Sequence, residues 1–200
     1  MTGTDRTTGE GTQTQTQSET QIRVLEAETE TEIDDIDGFI EEMDRIGERH
    51  GVVVQGFDVE YLASRRHVEE AVRKTQRAFE RGENVARKRS MEVLLYAAGT
   101  RQIDVATEMG VKEGESTSVF VVYSESDGCR DPDEVDEAVE ELSNSDFVNS
   151  DSVGRWNGDS SDPQVLREFF GIGDEEIDAV GESKLEVLVL ERVALLDVNK

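Results

Sequence analysis

The sequence predicts one domain of the α/β or α+β class, a small sheet packed by several helices. Three observations predict it. Apolar residues spaced by three and four alternate along the chain with short unbroken apolar runs. Ser, Asp-Pro and Gly stand where those stripes begin and end, as helix caps do. A chain of 200 residues, 35% of them hydrophobic, fills one core rather than two.

Residues 1–32 are set apart. They are polar and acidic, with no aliphatic side chain between Met1 and Ile22, and read as a disordered tail, ambiguous over 22–32. The domain is placed at 33–200. Ile33, Ile36, Ile40, Met43 and Ile46 predict an amphipathic helix, weakened at Gly47 and ended by Gly51. Residues 52–62 read as extended chain with a bend at Gly56. The clearest helix follows. Ser64 is its N-cap, Val68, Ala71, Val72, Thr75, Ala78 and Phe79 are its inner face, and Gly82 stands at C′. Arg66, Arg73, Arg77 and Arg81 fall on its other side.

Residues 91–98, ending at Gly99, read as a buried strand. Thr100 then caps a helix through Ile103, Ala106 and Met109, closed by Gly110. Residues 119–123 read as a second buried strand. Asp131-Pro132-Asp133-Glu134 opens a helix with the stripe Val135, Ala138, Val139 and Leu142. Residues 143–162 read as a polar loop with a short strand near Phe147. Asp162-Pro163 opens a helix with Val165, Leu166, Phe169 and Phe170 inward and Gly171 behind it. Asp174 caps a short helix ending near Gly181. Residues 185–190 read as helix. Residues 192–198 read as a final buried strand, because Val193, Leu195 and Asp197 alternate with Ala194, Leu196 and Val198.

The longest apolar run, 93–98, is too short to span a membrane, and no signal peptide opens the chain. Cys129 has no partner cysteine, so a reduced, cytoplasmic setting is expected. The net charge is −26. Disorder, nucleic-acid mimicry and adaptation to a salty cytoplasm all fit such a charge. Regular periodicity excludes disorder for most of the chain, and the halophilic reading is favoured. His50 and His67 complete no zinc spacing and no Ser-His-Asp motif. No phosphate loop is present, and Gly171-Ile172-Gly173 lacks the third glycine of a dinucleotide fingerprint. No catalytic residue, metal ligand or cofactor is expected.

The positive signal is where the bases lie. Residues 61–112 hold 11 bases and 7 acids, about +4, which leaves about −30 on the other 148 residues. Such contrast suggests a surface for a polyanion. The competing explanation is a helix face with pairs such as Glu69–Arg73 and Glu70–Lys74. Arg87-Lys88-Arg89 is harder to explain by pairing, with only Glu83 and Glu92 near in sequence. In high salt, phosphate contacts weaken, so stacking and shaped pockets for an exposed RNA end are favoured over a duplex backbone.

Three segments carry a resemblance: ASRRHVEEAV at 63–72, MEVLLYAAGTRQIDVA at 91–106, and LREFFGIGDEEIDAVG with LVLERVALLDV at 166–181 and 188–198. The chain resembles, over about 52–198, the small kinase-binding subunit of the archaeal KEOPS complex, the family that includes the TPRKB protein. The resemblance implies an accessory subunit without catalysis of its own. It implies docking on the KEOPS kinase-like subunit, indirect association with the other subunits, and contact with the 3′ CCA end of tRNA during threonylcarbamoyladenosine modification. By motif position it implies Arg65, Arg66, Arg101 and Gln102 as RNA contacts, with Lys88 and Arg89 behind them. Arg65, Arg66, Thr100 and Arg101 also fall at expected helix N-termini, where free backbone N–H groups favour phosphate. Which residues meet the kinase-like subunit is not given by the sequence. Two rivals stand: a protein-only regulator of a kinase, and a small nucleotide-binding enzyme using Gly99-Thr100 at a strand-to-helix turn.

Overall fold

A computed structural model describes residues 20–29, 36–114, 116–124, 133–158 and 162–197. Its centre is a four-stranded antiparallel sheet in the order β2-β3-β1-β4. The strands are β1 (Ile22–Thr29), β2 (Val52–Asp58), β3 (Ser116–Ser124) and the short β4 (Gly154–Arg155). Eight α-helices occur among the described residues. They are α1 (Ile36–His50), α2 (Arg65–Arg81), α3 (Arg89–Ala97), α4 (Ile103–Thr107), α5 (Asp133–Ser143), α6 (Pro163–Phe169), α7 (Asp174–Val180) and α8 (Leu185–Leu195). The expected class, helices packed on a small sheet, is the observed one.

Both faces of the sheet are covered, which explains the unbroken valine runs. On one face Val24, Val53, Phe57, Val119, Val121, Tyr123 and Trp156 pack with α2, α3 and α8. On the other, Ala27, Val52, Val54, Phe120 and Val122 pack with Phe39, Met43 and Ile46 of α1 and Val135, Ala138 and Leu142 of α5. Glu141 clamps these two acidic helices, accepting from Arg45 at 3.2 Å, Arg49 at 2.5 Å and His50 Nε2 at 2.7 Å. Gly56 is no bend. It lies within β2, and it is glycine because a Cβ there would stand 2.7 Å from Val111 Cγ2.

Further sequence expectations need correction. Residues 22–29 are β1, paired along its whole length with β3, not tail. The strand was hidden because its apolar residues are shared between two faces: Val24 faces one, Leu25 and Ala27 the other, so no alternation shows. Residues 91–98 are not a strand but most of α3. Every residue from Glu92 to Ala97 is buried, and a helix apolar all round imitates a buried strand. Residues 192–195 continue α8, whose buried positions Leu185, Leu188, Val189, Val193 and Leu196 have helical spacing. The short strand expected at Phe147 is a turn, with that ring packed edge-on to Phe39 at 5.6 Å; β4 lies further on. The first helix turns inward on Phe39, Met43, Ile46 and Gly47, leaving Ile40 exposed. The tail expected over 1–19, and Ile33, Cys129, Asp131-Pro132 and Val198, lie outside the described residues.

Candidate functional site

Ser64 caps α2 as expected, its Oγ accepting from His67 N–H at 3.1 Å and donating to Glu186 Oε1 at 2.6 Å. Gly82 closes the helix with φ 66°. At its N-terminus Arg65 pairs with Glu69 at 2.9 Å. Arg66 is exposed and has no ion-pair partner among the described residues. His67 is fully buried. Its Nδ1 accepts from Ala63 N–H at 3.3 Å and its Nε2–H donates to Ala97 O at 2.8 Å. Burial pushes its pKa down to about 4, against the opposing effects of the Ala97 bond and Glu186. This imidazole is a neutral staple between the start of α2 and the end of α3, with neither nitrogen free for chemistry.

That staple brings Arg65 and Arg66 to the same end of the α2–α3 pair as Arg101 and Gln102. Arg101 Nη2 donates to Leu196 O at 3.1 Å, at the carbonyl end of α8. Its Nε is buried without a hydrogen-bond partner. Gln102 is exposed and N-caps α4, its own N–H donating to Thr100 Oγ1 at 3.2 Å. Lys74 Nζ and Tyr96 OH both reach Asp197, at 2.5 and 2.9 Å, and pin the end of α8 to α2 and α3. Burial, then the Asp197 carboxylate, pushes the Tyr96 phenol up.

Lys88 and Arg89 lie elsewhere. They begin α3, roughly 13 Å of helix away from its Ala97 end. Lys88 pairs with Asp44 of α1 at 2.5 Å, and Arg89 covers the Phe79 ring at 4.3 Å. The structure therefore sets Arg65 and Arg66 beside the start of α8, and Arg101 with Gln102 towards its end, about 15 Å of helix further on, while Lys88 and Arg89 lie at the opposite end of α3.

Helix N-termini contribute less than expected. The cap of α2 already faces the Glu186 carboxylate, and α4 has only five residues. Gly99-Thr100 joins α3 to α4, not a strand to a helix. A Cβ on Gly99, where φ is 61°, would press on the Arg192 backbone at 3.2 Å. The strand-to-helix geometry of the nucleotide-binding rival is absent there. Glu69 pairs with both Arg65 and Arg73, while Lys74 leaves the helix face for Asp197. Lys112 bonds to Asp58 at 3.1 Å and sits over Tyr61. Among the described residues no group of three His, Cys, Asp or Glu could hold a metal, and no helix is long and apolar enough to cross a membrane.

The exposed face of α8 carries apolar side chains on either side of Glu191, a face that exists only when 185–195 form one helix. Val187 and Leu195 are 53% and 40% exposed, and Ala194 joins them. Ile103, also exposed, follows Arg101, whose guanidinium holds the end of α8. No curated protein matches the chain. The sequence model of the family described as kinase binding protein CGI-121 matches residues 17–197 and includes β1. That family is an accessory one, defined by the kinase it binds and not by catalysis. From that match, spanning nearly the whole fold, the chain belongs to the CGI-121 family of kinase-binding proteins.

Proposed function

We propose that the chain is the accessory subunit of a KEOPS complex in a salt-rich cytoplasm. In this reading it holds the 3′ CCA end of tRNA while docked on the kinase-like subunit, so that another subunit can place threonylcarbamoyl on an adenosine. Its contribution is positioning. The observation that carries the RNA half is a pair of exposed side chains, Arg66, which has no ion-pair partner among the described residues, and Gln102, which follows the Arg101 that anchors the end of α8. The docking half is supported by the exposed Val187 and Leu195 on α8.

The test is affinity for tRNA with and without its CCA end. Removing the end is expected to weaken binding at least tenfold, and Arg101→Gln to weaken only the intact tRNA. Equal affinity for both tRNAs would refute end recognition. No RNA binding by the chain or by the assembled complex would leave a protein-only regulator.

A further inference from the structure

The outer face of α2 carries a ridge of arginines of which the end-recognition reading uses only Arg66. At 3.6 residues per turn, Arg66, Arg73, Arg77 and Arg81 fall within an arc of about 80°. All four are exposed. Arg73, Arg77 and Arg81 follow one another every about 6 Å along the axis. Arg87 comes next, exposed in the turn to α3.

Arg73 is held by Glu69 and Glu70. Arg66, Arg77, Arg81 and Arg87 have no carboxylate partner among the described residues. In a chain with 47 acids to 21 bases that is the less expected state. Arg23, Arg45, Arg49, Lys74, Lys112 and Arg192 each reach a carboxylate. The ridge also lacks what a protein partner needs, a desolvated apolar centre. Among the described residues the exposed large apolar side chains are Ile40, Val85, Ile103, Val187 and Leu195; none is on α2, and Val85 is in the turn after it. Arg77 and Arg81 stand one turn apart with Arg87 beyond them, and Arg66 stands before the Arg73 that Glu69 and Glu70 hold; such guanidinium forks with no apolar centre suit phosphates.

We propose that Arg66, Arg77, Arg81 and Arg87 form a track for the phosphate backbone of RNA, running along α2 away from the end held near Arg101. The inference rests on the RNA-binding reading and extends it. Arg66 belongs to both readings: it opens α2 at the end where His67 ties that helix to the end of α3, and it is the first arginine of the ridge. From Arg66 to Arg81 the helix rises roughly 22 Å, several nucleotides of strand.

The full chain, in salt at which it is folded, is titrated with intact and CCA-lacking tRNA across a KCl series. The readout is fluorescence anisotropy. Replacing Arg77, Arg81 and Arg87 together by Gln is expected to weaken both RNAs alike, by tenfold or more. It should also lower the slope of log affinity against log salt by about two, at about 0.7–0.9 per phosphate contact. The triple Lys variant should keep that slope. Unchanged affinity and slope in the Gln variant, with a wild-type circular dichroism spectrum, would overturn the track. So would loss of the kinase-like partner with RNA affinity intact. If CCA removal has no effect while the Gln variant still weakens binding, end recognition fails and the track stands. If the wild-type chain binds no tRNA, both fall.

Discussion

His67 shows how a single residue can look functional and be structural. Its sequence position, three residues after a helix cap and beside two arginines, invites a catalytic or RNA-binding role. The structure spends both ring nitrogens on backbone partners and seals the ring from water. The consequence is a pH dependence with a definite sign. The folded pKa, about 4, lies below the ordinary 6.5, so the unfolded chain takes up the proton first. The stabilisation is complete above about pH 6.5 and is lost as pH falls toward 4, at most about 3 kcal/mol. Denaturant unfolding at pH 7.5, 6.5, 5.5 and 5.0 should show that decline, and His67→Gln should flatten it while being less stable at pH 7.5. An identical decline in the variant would assign it to other groups. The carboxylates of Glu42, Glu141 and Glu176, each lowered first by a side-chain hydrogen bond, from Arg45, His50 and Arg192 respectively, act in a separate window. Their contribution is lost only as pH falls below about 4.5.

At the scale of elements, α2 was legible to its ends, because Ser64, the period of its apolar face and Gly82 all agree. α3 was not, because burial on every side erases the period that distinguishes a helix from a strand. α8 was read as two elements for a related reason: residues 188–190 and 193–196 are all apolar, so the buried stripe is masked by exposed Ala194 and Leu195. Joined into one helix, those exposed residues acquire a shared face with Val187. That face gives the docking prediction. Val187→Asp with Leu195→Asp should weaken capture of the kinase-like partner at least tenfold, about 1.4 kcal/mol or more, and leave tRNA affinity within twofold. Co-purification from cells expressing both proteins, followed by tRNA titration of the variant, checks it. Retained capture would move the docking surface elsewhere.

Across the whole molecule charge is spread unevenly: acids line both layers, and the bases gather on α2. One layer holds α1 and α5, whose solvent side carries Asp37, Glu41, Glu48, Asp136, Glu137 and Glu140. The opposite layer holds α2 and its arginine ridge. Repulsion among the acids is screened over about 10 Å at 0.1 M salt and about 3 Å at 1 M. Exposed pairs such as Arg23–Asp136 weaken with salt too, but each is worth at most about 1 kcal/mol. Thermal unfolding should therefore move upward by about 5 °C or more between 0.1 and 1 M KCl, the shift produced by about 2 kcal/mol in a chain of this size. A flat or falling midpoint would contradict the halophilic reading.

By itself the sequence determined the class of fold, the caps and inner face of α2, the lack of recognisable catalytic motifs, and the segment in which bases gather. Those properties are local: period, cap and charge are written in neighbouring residues. Only the tertiary structure decided that 22–29 are a sheet strand, that 91–98 are a helix, and that Arg65 and Arg66 lie beside the start of α8, Arg101 and Gln102 towards its end, and Lys88 and Arg89 at the opposite end of α3. It also decided which arginines remain unpaired. These are matters of what meets what across the chain, as in Lys88 with Asp44 or Lys74 with Asp197, and sequence distance does not encode that contact.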